Sequence, residues 1–228
     1  SGDFTGDSAV ENYVLASGGS TFTLGGAGQN VDATAGSGDT IAFGGLSGSG
    51  TVETVAGDTI ELSSNADISG VDAEGSGAGS AFNADSLTLS GDASVTMAVA
   101  QHEGFGSITA DGDETVTLSD AGTVSGDADV ETYVLASGGS AFTLGSGSQS
   151  VDATAGSGDT IDVHGLTATG AIETVSGDTI ALDDSADISG VVADSGSAGA
   201  ASNANTLELA NNASVTMAVA QHEGFTTI

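Results

Sequence analysis

The side chains best placed to do chemistry are Asp32, Asp39 and Asp58, with their counterparts in a second copy of the same pattern, Asp152, Asp159 and Asp178. Asp32 and Asp39 lie in VDATAGSGDTI, which runs from Val31 to Ile41 and recurs unchanged from Val151. Asp58 and Asp178 restore the same Gly-Asp-Thr-Ile context from Gly57 and from Gly177. Ca²⁺ takes six to eight oxygen ligands from carboxylates, backbone carbonyls and water. Glycine-rich turns expose carbonyls and aspartate supplies charge, so these six residues are candidate Ca²⁺ ligands. Were equivalent aspartates stacked about 5 Å apart, they would repel by about 1 kcal/mol in water and about 4 kcal/mol at an effective dielectric of 20, and a cation between them would reverse the sign. The competing role is local: an aspartate in a turn accepts hydrogen bonds from backbone N–H groups. Asp111 and Asp113, in ADGDETV, form a further acidic turn open to the same two readings.

Other chemistry is thinly supplied. His102 and His222 recur in Gln-His-Glu-Gly and read as turn residues, whereas His164 replaces Gly44 of the first copy and stands outside the shared pattern. A nucleophilic triad needs a serine or cysteine beside a positioned histidine and an acid, and serine and aspartate are too common here for chance pairs to carry meaning. A glycosidase carboxylate pair would be duplicated within a gapless repeat that has few aromatics to stack a sugar. Polysaccharide lyases built on parallel β-helices use Lys or Arg, and this chain has neither. The expectation is a protein that is not an enzyme.

The charge balance excludes more. There are 32 acidic residues and no Lys or Arg, giving a formal charge of −32. Nucleic acid is excluded as a partner, because affinity for phosphates rests on those absent cations; anionic membrane surfaces are disfavoured for the same reason. Self-repulsion opposes compaction, and salt or bound divalent ions would offset it. No cysteine is present, so disulfides and thiolate metal sites are ruled out. No apolar run is long enough to span a membrane as a helix. Trypsin has no cleavage site in such a chain.

What must position the aspartates is a repeat. Residues 1–108 align without a gap on 121–228, with 68 identities. Units of fixed length fit a stack in which each contacts its neighbours, so the chain divides into a first unit, 1–120, and a second, truncated unit, 121–228. Inside each unit, short runs alternate apolar and polar residues: STFTL at Ser20, DTIAF at Asp39, DTIEL at Asp58, SLTLS at Ser86, SVTMAV at Ser94 and ETVTLS at Glu114. That is the period of half-buried strands bounded by turn residues. Only Ala98–Glu103 has a helical alternative, a single turn closed by Gly104. The expected fold is an all-β parallel β-solenoid (a β-helix) with short rungs of about 20 residues, roughly six coils to the unit. The alternative is a tandem array of β-sandwiches. Absence of proline and the Gly-Asp-Thr-Ile echo favour the solenoid.

The glycine-rich stretches, such as Gly25-Gly26-Ala27-Gly28-Gln29-Asn30, resemble a degenerate form of the RTX nonapeptide G-G-x-G-x-D-x-U-x. The wider pattern, from Tyr13-Val14-Leu15-Ala16-Ser17-Gly18-Gly19 to ASVTMAVAQHEGF at Ala93, is similar to tandem arrays of giant type I secreted bacterial surface proteins and adhesins. The resemblance implies an extracellular, cell-surface setting rich in Ca²⁺ and a mechanical role. The leading expectation is therefore a structural segment of a filament, surface layer or adhesin stalk whose partner is itself, as neighbouring repeats or as subunits of a homopolymer. The runner-up is a ligand-binding adhesin module recognising surface glycans or ice. Ice binding calls for a regular outward array of threonine, and Thr59, Thr88, Thr96 and Thr117 read as scattered, with no ladder at rung spacing.

Overall fold

The computed structural model describes residues 1–194, 196–204 and 206–228. The chain is a parallel β-solenoid, and it divides into two compact units, Ser1–Ser119 and Asp120–Ile228. Every pairing between the strands named below is parallel.

In the first unit six strands stack on one face: Asp3–Thr5, Thr21–Thr23, Thr40–Ala42, Thr59–Leu62, Ser86–Leu89 and Ser107–Thr109. One residue of each forms an inward column, Phe4, Phe22, Ile41, Ile60, Leu87 and Ile108. The steps along this column are unequal. Those from Phe4 to Ile60 are short and almost alike, the step from Ile60 to Leu87 is the longest, and the one to Ile108 is intermediate. A second face stacks Asn12–Val14, Asn30–Asp32, Thr51–Glu53 and Asp72–Ala73, with Tyr13, Val31, Val52 and Ala73 in column. A third joins Ala66–Asp67, Ser94–Met97 and Thr115–Leu118. Phe22, Ile41, Ile60, Leu87, Val95 and Met97 are fully buried. Enclosing one such side chain contributes roughly 1.5–3 kcal/mol, so the columns supply the driving force for stacking.

The second unit repeats this register. Val124, Phe142, Ile161, Ile180 and Leu207 form one column, and its long step again follows the isoleucine of the second Gly-Asp-Thr-Ile run, Ile180. Tyr133, Val151, Ile172 and Ala193 form another. Rung length is therefore not one number but a fixed series, kept because an insertion within a strand would turn an inward column outward.

The glycine-rich turns are where coils meet backbone to backbone. A Cβ on Gly18 would fall on the Ser37 carbonyl, and one on Gly36 on the Gly18 amide. Ala98–Glu103 resolves as a short helix, Val99–Gly104, mirrored by Val219–Gly224. Gln101 fixes it: its Oε1 accepts from Ala98 N at 2.9 Å and its Nε2 donates to Ile68 O at 2.8 Å.

Outward positions of the first face line up in files: Thr21, Thr40, Thr59, Ser86 and Ser107 form one across successive coils, and Thr23, Ala42, Glu61, Thr88 and Thr109 a second. Thr59 and Thr88 lie in different files, and Thr96 stands opposite Thr117 on the third face. Thr21, Thr40 and Thr59 follow at one spacing, which the longer step from Ile60 to Leu87 then breaks.

Candidate functional site

Asp39, Asp58, Asp159 and Asp178 are all buried, at 1% exposure or less. Each sits just before a strand, where the chain turns onto the first face, and its carboxylate reaches back one coil. Asp39 Oδ1 accepts from Ser20 N at 2.7 Å. One coil on, Asp58 Oδ1 accepts from Asp39 N at 2.9 Å, and its Oδ2 accepts from Val55 N at 2.9 Å. The second copy does the same. Asp159 Oδ1 accepts from Ser140 N at 2.7 Å, and Asp178 takes Gly158 N, Asp159 N and Val175 N at 2.9, 3.1 and 2.8 Å. A buried carboxylate is tolerated only when such donors replace water. The four aspartates are thus two short columns of backbone staples.

The columns are not fully satisfied. Asp39 Oδ2 and Asp159 Oδ2 are buried without a hydrogen-bond partner, as is Ser140 Oγ. Burial raises the Asp159 pKa; the amide of Ser140 opposes this, and the neighbouring Asp178 carboxylate raises it further. One carboxylate oxygen in each repeat, on Asp39 or Asp159, is thus left over, well short of the six to eight oxygens that Ca²⁺ takes. Asp58 and Asp178 already spend both oxygens on amides.

Asp32 and Asp152 lie elsewhere. They end strands Asn30–Asp32 and Ser150–Asp152 on the second face, with Asp32 in register between Val14 and Glu53. Each closes a turn by accepting from the amide and hydroxyl of the threonine two positions on: Thr34 at 3.0 and 2.7 Å, Thr154 at 2.9 and 2.6 Å. The Thr34 hydroxyl, then its amide, hold the Asp32 pKa below the ordinary value. The structure does not bring Asp32 or Asp152 into the columns. Asp111 Oδ1 accepts from Gly91 N at 3.1 Å, and Asp113 N donates to Asp92 Oδ1 at 3.1 Å, so that acidic turn also ties coil to coil. His102 is buried in its helix and contacts Glu103 Oε1 through Nδ1 at 3.0 Å.

Sequence reasoning missed the glutamines. Gln29 Nε2 donates to Asp7 O and Val10 O at 2.7 and 2.8 Å, and its Oε1 accepts from Gly25 N at 2.7 Å. Gln149 repeats this with Asp127 O, Val130 O and Gly145 N at 2.8, 2.8 and 2.9 Å. The stretch resembling a nonapeptide is held here by a buried amide side chain. The available signal was one polar residue kept at 29 and 149 while Ala27, Gly28 and Asn30 all change.

An open groove on the second face is lined by Tyr13, Asp32 and Glu53, and no helix among the described residues is long and apolar enough to cross a membrane. Comparison with protein-family models, curated proteins and solved structures returns no match.

Proposed function

We propose that the chain is a structural repeat segment of an extracellular filament, surface layer or adhesin stalk, that it associates end to end with further copies of its own coil pattern, and that it works without catalysis. The observation that carries this reading is the stack itself: parallel coils held in one register and written twice, each coil adding strands to the edge of the one before. In the first unit, strand Thr115–Leu118 covers Ser94–Met97 in parallel register. Strand edges of this kind pair with more strand.

Ca²⁺ suits the same reading. Bound at the acidic turns, it would offset part of the charge of −32. A secreted, cell-surface setting is supported by the resemblance to type I secreted arrays. Electron microscopy of the assembled protein in Ca²⁺ tests the proposal: fibres or a lattice with a regular repeat are expected, and dispersed particles at high concentration would refute it.

The outward serine and threonine files favour a second reading, a binding module for surface glycans or ice. The files are interrupted by Asp3 and Glu61, and by Asp162 and Glu208 in the second unit, which weakens a flat recognition lattice. A glycan array and an ice-recrystallisation assay test the two branches.

A further inference from the structure

The second unit carries a group of side chains that the first lacks. Asp162 ends strand Thr160–Asp162, His164 follows it in the next turn, and Asp183 follows strand Thr179–Leu182. One ligand atom from each lies within 4.8 Å of the others. His164 Nδ1 is 3.0 Å from both Asp183 oxygens, and Asp162 Oδ1 accepts from His164 N at 3.0 Å. The first-copy residues at these positions are Ala42, Gly44 and Ser63, none of which offers an imidazole or a carboxylate. The strands that present them hold the same register in both units, Ile41 on Ile60 and Ile161 on Ile180. With 68 of 108 aligned positions identical, 108 − 68 = 40 differ, yet these three, drawn from two successive coils, converge in space. Asp184 stands where the first copy has Ser64, and a Cβ added to Gly165 would meet its side chain at 3.2 Å.

We propose that Asp162, His164 and Asp183 form a surface site for a divalent transition metal of the Zn²⁺ class, present in the second unit only. One imidazole with two carboxylates is a mixed nitrogen and oxygen set, which suits Zn²⁺ and its neighbours in the Irving–Williams order; Ca²⁺ takes oxygen alone. The site is thus distinct from the buried aspartate columns. Ala181 stands opposite Asp162 where the first copy has Glu61 opposite Ala42, so the ladder neighbour adds no competing carboxylate.

Calorimetric titration of the full chain with ZnCl₂, in excess Ca²⁺ to saturate unspecific carboxylates, tests this. One Zn²⁺ per chain is expected, together with a shift of the His164 ring resonances and not of His102 or His222. His164→Gly restores the first-copy residue at a backbone position with φ of 46°, where glycine is unstrained, so the variant folds; it should weaken binding at least tenfold. The fourfold change Ala42→Asp, Gly44→His, Glu61→Ala and Ser63→Asp, which also removes the carboxylate opposite position 42, should raise the stoichiometry to two. Equal Zn²⁺ binding by His164→Gly, or loss of binding in Ca²⁺, would overturn the site and leave His164 and Asp183 as a surface ion pair.

Discussion

The two units are one register written twice, and the places where they differ separate what the fold requires from what it merely permits. Both Gly-Asp-Thr-Ile runs of the first unit are kept in the second, and so are the hydrogen bonds that Asp39, Asp58, Asp159 and Asp178 make from coil to coil. Around Phe82 the sequence changes. Phe82 is buried and stacks on Phe105 at 5.5 Å, while Glu74 Oε1 accepts from Thr54 N and Oγ1 at 2.9 and 2.8 Å. In the second unit Asp194 and Ser202 stand at these positions. Asp194 keeps the Thr174 amide at 2.8 Å, and the Ser202 hydroxyl pairs with Thr174 Oγ1 at 2.9 Å. The shorter acid and the lost ring leave a small apolar cavity lined by Ile172, Ile180, Ile188, Ser202 and Phe225. A staple cannot be traded, because its partners are backbone amides of the neighbouring coil. A packing pair can be, provided its polar atoms change together.

The largest effect that sharpens this contrast is expected from Asp178→Ala, which strands three amide donors. Each unsatisfied buried donor costs about 1–3 kcal/mol, so a loss of about 3 kcal/mol or more is expected in chemical denaturation; a loss below about 1 kcal/mol would break the staple argument. Gln149→Ala, which frees two carbonyls and an amide, should cost about 2 kcal/mol in the same assay. The paired change Asp194→Glu with Ser202→Phe restores the first-copy arrangement and fills the cavity. It should stabilise by about 1–2 kcal/mol, with Ser202→Phe alone gaining less because Thr174 Oγ1 loses Ser202 Oγ and keeps only the Ala204 amide, which donates to it at 3.0 Å.

The smallest expected effect concerns the unpartnered oxygen of Asp159. Its pKa is raised in the folded state by burial, so between the ordinary carboxylate value and the raised one the folded chain binds more protons than the unfolded. Stability is then lost as pH rises through that window, and the cost is complete at neutral pH. Asp159→Asn should therefore be more stable than the parent at neutral pH in chelator, with the difference vanishing on acidification. Added Ca²⁺ should leave the gap open, because one enclosed oxygen falls short of the ligands Ca²⁺ takes. Thermal midpoints in a two-by-two comparison of pH and Ca²⁺ check each sign.

How much of this was legible follows from the length of the alternating run around each strand. The six alternating runs from STFTL to ETVTLS all carry strands, although two of those strands, Thr21–Thr23 and Thr40–Ala42, have only three positions. The strands at Phe4, Tyr13, Val31, Val52 and Ala73 are equally short or shorter but have no such run around them, and Val31–Asp32 reads as part of a turn motif. The Gly-Asp-Thr-Ile echo located the aspartate columns, since Asp39 and Asp58 are both turn residues and neighbours along the stack. Composition could not reveal that their oxygens face amides. Nor could it reveal that Asp162, His164 and Asp183 meet, because that depends on which strands pair and in what register.

End-to-end association is tested most directly by sedimentation velocity over a range of concentrations in Ca²⁺, for the parent chain and for Val14→Glu in strand Asn12–Val14. The account predicts that the parent grows into progressively larger species and that the charged variant, folded as judged by circular dichroism, stays small. A parent chain that sediments as one monomeric species at every concentration, or a variant that assembles as readily, would contradict it.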